Sequence, residues 1–139
     1  MASKVYFSLG TNLGDKEANI GEAIRKISEL IGTVERQSTL YVTEPWGFES
    51  ENLFVNAAVC CTTGLTPRQV LDATQRIERQ MGRKVKSVDG QYHDRIIDID
   101  ILMFGDLKID EPDLKIPHPL MHERECVMKP LNEIVDKKC

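Results

Sequence analysis

The spacing of apolar residues switches between two periods along the chain, and the order of these switches constrains the fold most strongly. Segments rich in β-branched and aromatic residues predict four strands, at residues 4–9, 32–42, 54–63 and 96–104. Between the first and second strands, and between the third and fourth, apolar residues recur every three or four positions. This second period is typical of one buried face of a helix. The chain is therefore predicted to alternate strands with two helices.

The ends of both predicted helices carry recognisable signals. Asp15 precedes the first helix as a capping residue, and Gly32 follows its apolar positions as a C-terminal cap. Thr66 and Gln69 form a capping box at the start of the second helix, and Gly82 ends it. These signals place the second helix immediately after the third strand.

The element order strand–helix–strand–strand–helix–strand predicts an α+β, ferredoxin-like βαββαβ sandwich. In this fold an antiparallel sheet carries its helices on one face. A C-terminal extension follows, with a short hairpin-like stretch at residues 107–109 and a final short helix. We expect a single domain over residues 1–139.

Composition and cysteine usage indicate the compartment. Hydrophobic residues are 41% of the chain and charged residues 29%, a balance typical of globular domains. No apolar run is long enough to span a bilayer and no apolar signal segment follows Met1, so we expect a soluble, cytoplasmic protein. Cys60 and Cys61 point to opposite faces of one strand, and Cys126 and Cys139 are distant in sequence. Free thiols are expected.

The distribution of charge favours a small anionic partner. The net charge is −4, so duplex DNA or an anionic membrane is not expected to be the main partner. Basic residues are nevertheless concentrated in one short stretch, at Arg79, Arg83, Lys84, Lys86 and Arg95. A local basic cluster on an acidic protein suits a small polyanion.

The pair Asp98 and Asp100 is the sharpest chemical signal. Strand side chains alternate, so these carboxylates share one face while Ile99 points to the core. They would lie about 7 Å apart along the strand, where they repel each other unless solvated or bridged. Mg²⁺ is commonly held by a few carboxylates together with phosphate oxygens and water. The alternative is a water-facing strand that happens to carry two acids.

Other polar residues are placed to serve a nucleotide site, although each has a structural alternative. Arg83 and Arg95 flank a basic loop that can act as a lid over phosphates, or can simply be solvated. The remaining candidates are Gln75 and Glu78 beside the buried stripe of the second helix, Asn56 within an apolar strand, and His118 near Arg124. Alternatively, Gln75 and Glu78 are a solvent-exposed flank of the helix, Asn56 bonds backbone groups, and His118 is structural.

Taken together, the motifs resemble one family almost from end to end. They are Ser8-Leu9-Gly10-Thr11-Asn12-Leu13-Gly14, Tyr41-x-Thr43-x-Pro45, Phe54-x-Asn56-Ala57-Ala58-Val59, Gln75-x-Ile77-Glu78, Gly82-Arg83, Arg95-x-x-Asp98-x-Asp100-Ile101-Leu102, Phe104-Gly105, Ile116-Pro117-His118-Pro119 and Arg124. Their order and spacing closely resemble the 6-hydroxymethyl-7,8-dihydropterin pyrophosphokinase family of folate biosynthesis. The family has the ferredoxin-like fold and transfers diphosphate from ATP to the pterin hydroxymethyl group, releasing AMP.

The resemblance implies a role for each matched residue. Asp98 and Asp100 would hold two Mg²⁺ ions and, with Arg83 and Arg95, would be the catalytic residues. ATP would contact Gln75, Glu78, Arg83, Arg95, Ile101 and His118. The pterin would contact Thr43, Pro45, Trp46, Phe54, Asn56, Tyr92 and Arg124. Cys126 stands where the family commonly has an aromatic residue, so weaker pterin binding is predicted.

Two other functions remain as alternatives. A nucleotidyltransferase also uses paired aspartates and Mg²⁺ but releases pyrophosphate. A non-catalytic ligand-sensing module would bind without turnover or magnesium dependence. For the family function the expected partners are ATP and a reduced pterin, with no nucleic acid and no membrane. The protein itself is expected to be a monomer or a weak homodimer.

Overall fold

The computed structural model describes residues 2–43, 53–82, 96–119 and 121–135. Seven strands lie in this part of the chain: β1 (Ser3–Thr11), β2 (Gly32–Gln37), β3 (Tyr41–Thr43), β4 (Phe54–Thr63), β5 (Asp98–Phe104), β6 (Ile109–Glu111) and β7 (Leu114–Ile116). The helices described are α1 (Lys16–Leu30), α2 (Pro67–Gln80) and α3 (Glu125–Ile134), with a 3₁₀ turn at Met121–Glu123.

The main sheet is antiparallel and has the strand order β2-β4-β1-β5. This order, with the crossing helices α1 and α2, confirms the predicted ferredoxin-like fold. The strand predicted at residues 32–42 is instead two strands, β2 and β3, which both pair with β4. Ser38 directly follows β2, and its hydroxyl accepts a hydrogen bond from Ala58 N at 2.9 Å. Its backbone N also donates to Ala58 O at 2.9 Å, so both bonds hold the chain beside β4 where β2 ends.

The two faces of the sheet carry separate apolar layers. Val5, Phe7 and Leu9 of β1 face α1 and α2, where Ile27 and Ile77 are fully buried. The opposite face packs against α3 through a second cluster, made of Ala58, Cys60, Leu102, Met121, Val127, Leu131 and Ile134. The prediction of helices on one face therefore holds for α1 and α2, while the C-terminal extension covers part of the other face.

Local capping explains where the helices begin and end. The Asp15 carboxylate accepts from Ala18 N at 3.1 Å, and Thr66 and Gln69 form the reciprocal capping box, as predicted. Gly82 has a φ of +102°, which favours glycine after α2. Gly32 plays a different part from the predicted helix cap, because it is the first residue of β2. A Cβ atom there would lie 2.0 Å from Thr62 O, so Gly32 permits close approach of β2 to β4.

The C-terminal extension begins with a hairpin of β6 and β7, whose Leu114 and Ile116 are buried in the first apolar layer.

Cysteines are described at three positions. Cys60 and Cys61 are buried free thiols on opposite faces of β4, as predicted, and Cys126 is a half-buried free thiol. Cys139 lies outside the described residues.

Every helix in the described ranges is too short or too polar to cross a bilayer.

Candidate active site

Pairing across three strands brings two polar side chains into one row. Gly10 of β1 is paired with Asn56 of β4 on one side and with Asp98 of β5 on the other. Since neighbouring strands lie about 4.8 Å apart, the Cα atoms of Asn56 and Asp98 are about 10 Å apart. In the next row toward α3, Ser8 lies between Ala58 and Asp100. The sheet itself therefore positions the predicted carboxylates opposite the predicted amide.

The alternation predicted for β5 is confirmed. Ile97, Ile99 and Ile101 are buried among the side chains of the first layer. Asp98 and Asp100 are half-buried and belong to the other face. Both carboxylates are therefore positioned beside the part of this face that α3 leaves uncovered.

Gly10 leaves space in the middle of this row. A Cβ atom on Gly10 would lie 3.1 Å from Asn56 Oδ1 and 3.7 Å from Phe54 Cδ1. The Asn56 and Phe54 side chains thus approach the β1 backbone in a way that a larger residue would obstruct. No role was predicted for Gly10 from the sequence, although glycine inside a strand is a signal of close approach.

The N-terminal end of α3 lies against the same face. Arg124 precedes α3 and is half-buried. Burial raises the pKa of the Cys126 thiol, the neighbouring Arg124 opposes this effect, and the negative charge of Asp100 adds to it. Cys126 also packs against the second apolar layer, which contains Leu102 of β5. The roles predicted for Asp100 and Arg124 stay predictions.

A cleft of about 280 Å³ lies on the other side of Asp100. The described residues that line it are Leu71 and Gln75 of α2, Ile99, Asp100 and Ile101 of β5, and Pro112, Asp113, Leu114, Lys115, His118 and Pro119 of the extension. His118 is positioned by its backbone, because His118 N donates to Leu102 O of β5 at 3.0 Å. Three residues predicted to contact ATP, Gln75, Ile101 and His118, therefore meet beside one of the paired aspartates.

Glu78 is more buried than a helix flank would be. Its side chain is only 2% exposed, and its Oε2 accepts a hydrogen bond from Ile99 N at 2.8 Å. Ile99 lies between the two aspartates on β5, which is the edge strand of the sheet on this side. Glu78 therefore binds the backbone that carries Asp98 and Asp100. Its contact with a nucleotide stays a prediction.

The donor set of Asp98 and Asp100 fits a hard divalent cation. Carboxylate oxygens are the ligands that Mg²⁺ prefers, and Mg²⁺ usually retains positions for phosphate and water. Within the described residues no group of three or more His, Cys, Asp or Glu side chains is arranged to hold a metal. Two carboxylates would supply only part of the shell of such an ion and would leave positions for phosphate and water.

Several predicted site residues lie outside the described part of the chain. They are Pro45, Trp46, Arg83, Tyr92 and Arg95. Thr43 is described through its backbone, which pairs with Phe54 at the end of β3. The roles of these residues stay predictions.

Comparison with known proteins identifies the family of this chain. The family model of 7,8-dihydro-6-hydroxymethylpterin-pyrophosphokinase (HPPK) matches residues 6–136. A relative named 2-amino-4-hydroxy-6-hydroxymethyldihydropteridine pyrophosphokinase from Porphyromonas gingivalis is 45% identical over 131 residues, covering 94% of this chain and 89% of the relative. A protein of the same name from Aquifex aeolicus is 38% identical over 130 residues, covering 94% of this chain and 79% of the relative.

A solved structure supports the fold. A crystal structure of Plasmodium falciparum HPPK-DHPS superimposes with a TM-score of 0.75 at 19% identity. The match covers 97% of this chain, which spans only 42% of that longer chain. At this identity the likeness concerns the fold alone. The family match over residues 6–136 and the identity to the two relatives establish that this chain belongs to the 7,8-dihydro-6-hydroxymethylpterin-pyrophosphokinase family.

Proposed function

We propose that this chain transfers the terminal diphosphate of ATP to the hydroxymethyl group of 6-hydroxymethyl-7,8-dihydropterin and releases AMP. The observation that carries the proposal is the position of the Asp98–Asp100 pair. On one side of it lies the cleft with Gln75 and His118, and across Gly10 lies Asn56. Two ligands bound on these two sides would meet at the carboxylates. Membership of the HPPK family supports the same reaction.

The cleft is proposed to hold ATP. Gln75 and His118 offer polar groups at its wall, and Ile99 and Ile101 belong to its β5 side. The basic residues Arg83 and Arg95 are proposed to contact the triphosphate, where guanidinium groups form paired hydrogen bonds with phosphate oxygens. Such contacts also neutralise the charge that develops during phosphoryl transfer.

The row beyond Gly10 is proposed to hold the pterin. The Asn56 amide has both a donor and an acceptor, which suits the edge of a heterocycle. Phe54, at the same place, offers an aromatic face for stacking. The other proposed contacts are Thr43, Pro45, Trp46, Tyr92 and Arg124.

Asp98 and Asp100 are proposed to hold two Mg²⁺ ions between the substrates. When bound, these ions would neutralise phosphate charge and lower the pKa of the substrate hydroxyl. Glu78 supports the pair through its hydrogen bond to Ile99 N. Holding the hydroxyl in line with the β-phosphorus reduces the entropic part of the barrier.

The reaction products test this function directly. The chain is incubated with ATP, Mg²⁺ and 6-hydroxymethyl-7,8-dihydropterin, and the nucleotide and pterin products are separated by chromatography. AMP and pterin diphosphate in equal amounts are expected. Release of pyrophosphate would indicate a nucleotidyltransferase instead, and binding without turnover would indicate a sensing module.

The remaining properties follow from the same proposal. We propose one catalytic domain over residues 1–139, acting in the cytoplasm as a monomer or weak homodimer. Its partners are the two small substrates, with no role for nucleic acid or membrane. Sedimentation at micromolar concentration measures the oligomeric state.

A further inference from the structure

One arginine joins α2 to the tip of the β6–β7 hairpin. Arg68 lies in the first turn of α2, and its guanidinium donates to both carboxylate oxygens of Asp113, Nη1 to Oδ2 at 2.8 Å and Nη2 to Oδ1 at 2.7 Å. Nη2 also forms an ion pair with Glu111. The paired geometry with Asp113 is the stronger form of this interaction. Hydrogen bonding to Arg68 lowers the pKa of Asp113, which keeps its carboxylate charged.

The two elements that Arg68 joins are opposite walls of the cleft. Arg68, Leu71 and Gln75 follow one another at helical spacing, so they lie along one stripe of α2. Leu71 and Gln75 line the cleft from this side, and Asp113 and Lys115 line it from the hairpin. Arg68 therefore bridges the walls just beyond the lining residues.

The hairpin is held differently at its base and at its tip. Leu114 and Ile116 anchor β7 in the first apolar layer. Glu111, at the end of β6, and the turn residues Pro112 and Asp113 are all exposed. Since the turn has little apolar burial, the ion pairs with Arg68 connect it to α2.

We infer that Arg68 is a positioning residue that holds the hairpin wall at the right distance from α2 for nucleotide binding. Its positive charge also offsets the negative charges of Glu111 and Asp113 at the rim of the cleft. The inference rests on the proposed use of this cleft by ATP. Without Arg68, the hairpin tip would be free to move away from Leu71 and Gln75. Glu111 and Asp113 would also repel an anionic nucleotide.

The charge-removing variant Arg68→Gln tests this role. Exposed ion pairs contribute modestly, so KM for ATP is expected to rise by about three- to tenfold. The kcat value and KM for the pterin should stay within about twofold of the wild type. Calorimetry with a non-hydrolysable ATP analogue and Mg²⁺ should show the same loss of affinity, and hydrogen exchange at residues 109–116 should become faster.

Arg25→Gln is the matched control. Arg25 is also an exposed arginine with two carboxylate partners, Glu22 and Glu29, but all three lie on α1. Its replacement should leave KM for ATP unchanged. The charge-keeping variant Arg68→Lys should lose less affinity than Arg68→Gln, because a cation still faces Glu111 and Asp113.

The outcomes separate this inference from the proposed function. If the wild type neither binds the ATP analogue nor releases AMP, the proposed function fails. If the wild type is active but Arg68→Gln binds the analogue as tightly as Arg25→Gln does, the positioning role is wrong. Equal losses in Arg68→Gln and Arg68→Lys would contradict the ion-pair explanation as well.

Discussion

Among single residues, Asp98 and Asp100 carry the strongest chemical expectation. Their side chains share one face of β5 about 7 Å apart, where two carboxylates repel each other unless they are solvated or bridged. Asp98→Asn and Asp100→Asn keep the shape of the side chain and remove its charge. Each variant is expected to lose activity by at least about 100-fold, the scale on which a transition-state electrostatic contact acts. AMP release at saturating Mg²⁺ measures this loss.

The same two variants should fold normally. Asparagine has nearly the shape of aspartate, and neither side chain belongs to an apolar layer, so the far-ultraviolet circular dichroism should be unchanged. Asp106→Asn, in the exposed turn directly after β5, is the matched control and should keep full activity. Near-normal turnover in both Asp98→Asn and Asp100→Asn would refute the metal role.

Gly10 is expected to control pterin binding. In Gly10→Ala the added Cβ atom would lie 3.1 Å from Asn56 Oδ1, so the amide or the backbone must shift. KM for the pterin should rise by about tenfold, equivalent to roughly 1.4 kcal/mol, while KM for ATP should change by less than about threefold. Steady-state kinetics with each substrate varied in turn measures the difference.

Gly21→Ala provides the comparison for this substitution. Gly21 lies within α1 and has no neighbouring atom within 4 Å of its added Cβ. Alanine there should stabilise the helix by about 0.5–1 kcal/mol and leave both KM values unchanged. A pterin KM unaffected by Gly10→Ala would show that the pterin does not bind over this row.

Residue patterns predicted the carboxylate pair because a strand has a fixed period of two. Alternation places Asp98 and Asp100 on one face of β5 and the buried Ile99 on the other. The importance of Gly10 could not be read in the same way, since it depends on Asn56 and Phe54 of another strand. The bond from Ile99 N to Glu78 was likewise not predictable, because helix spacing does not show which strand edge a side chain meets.

At the scale of elements, Glu133 connects α3 to the edge of the sheet. Its carboxylate accepts hydrogen bonds from Thr39 N at 3.0 and 3.1 Å, from Thr39 Oγ1 at 2.8 Å and from the Tyr41 hydroxyl at 2.8 Å. Tyr41 begins β3, whose last residue is Thr43. This contact therefore fixes the strand that leads into the proposed pterin site.

The contact with Glu133 gives a defined pH dependence. The hydrogen bond from Tyr41, followed by those from Thr39, lowers the pKa of Glu133 below its ordinary value of 4.5. A lowered pKa means that the contribution to stability is present above 4.5 and is lost as the pH falls through the folded-state value. The same hydrogen bond raises the pKa of Tyr41 above 10.0, so the contribution is also lost at strongly alkaline pH.

Glu133→Gln should therefore lower the melting temperature most near pH 7 and progressively less below about pH 4.5. Scanning calorimetry of both proteins between pH 3 and 8 measures the difference. Hydrogen exchange of the β3 amides should also become faster at pH 7. Glu29→Gln removes an exposed glutamate that pairs within α1 and should leave β3 exchange unchanged. A melting difference that stays constant down to pH 3 would contradict the assignment.

Element boundaries were predictable wherever a local signal marks them. The capping box at Thr66 and the cap at Asp15 depend on residues three positions apart. The division of residues 32–42 into β2 and β3 depends instead on the distant Ala58, which bonds Ser38. Glycine is likewise required at position 32 because the Thr62 backbone approaches it closely, and not because α1 ends nearby.

For the whole molecule, one sheet separates two apolar layers. The element order was sufficient to predict the sheet and the layer beneath α1 and α2. Coverage of the opposite face could not be derived from order, since a short C-terminal helix has no topological rule that assigns it a face. The two layers meet through β4, where Cys60 and Cys61 point to opposite sides.

Because both layers are built on the same strands, we expect them to unfold together. Leu131 of α3 is 2% exposed and belongs to the layer that contains Ala58 and Cys60. Leu131→Ala should lower the free energy of unfolding by about 2–4 kcal/mol through lost burial and the cavity left behind. Urea unfolding followed by far-ultraviolet circular dichroism should show one transition at a lower midpoint with an unchanged slope.

Activity should disappear at the same urea concentration as the helical signal, since Arg124 directly precedes α3 and Cys126 lies in its first turn. Leu107→Ala removes a leucine that is 48% exposed and should change the unfolding free energy by less than about 0.5 kcal/mol. If Leu131→Ala lost activity well before the rest of the helical signal, α3 would unfold separately and the two layers would not form one cooperative unit. Coincident loss in both variants and the wild type would mean that the proposed site requires both faces of the sheet to be packed.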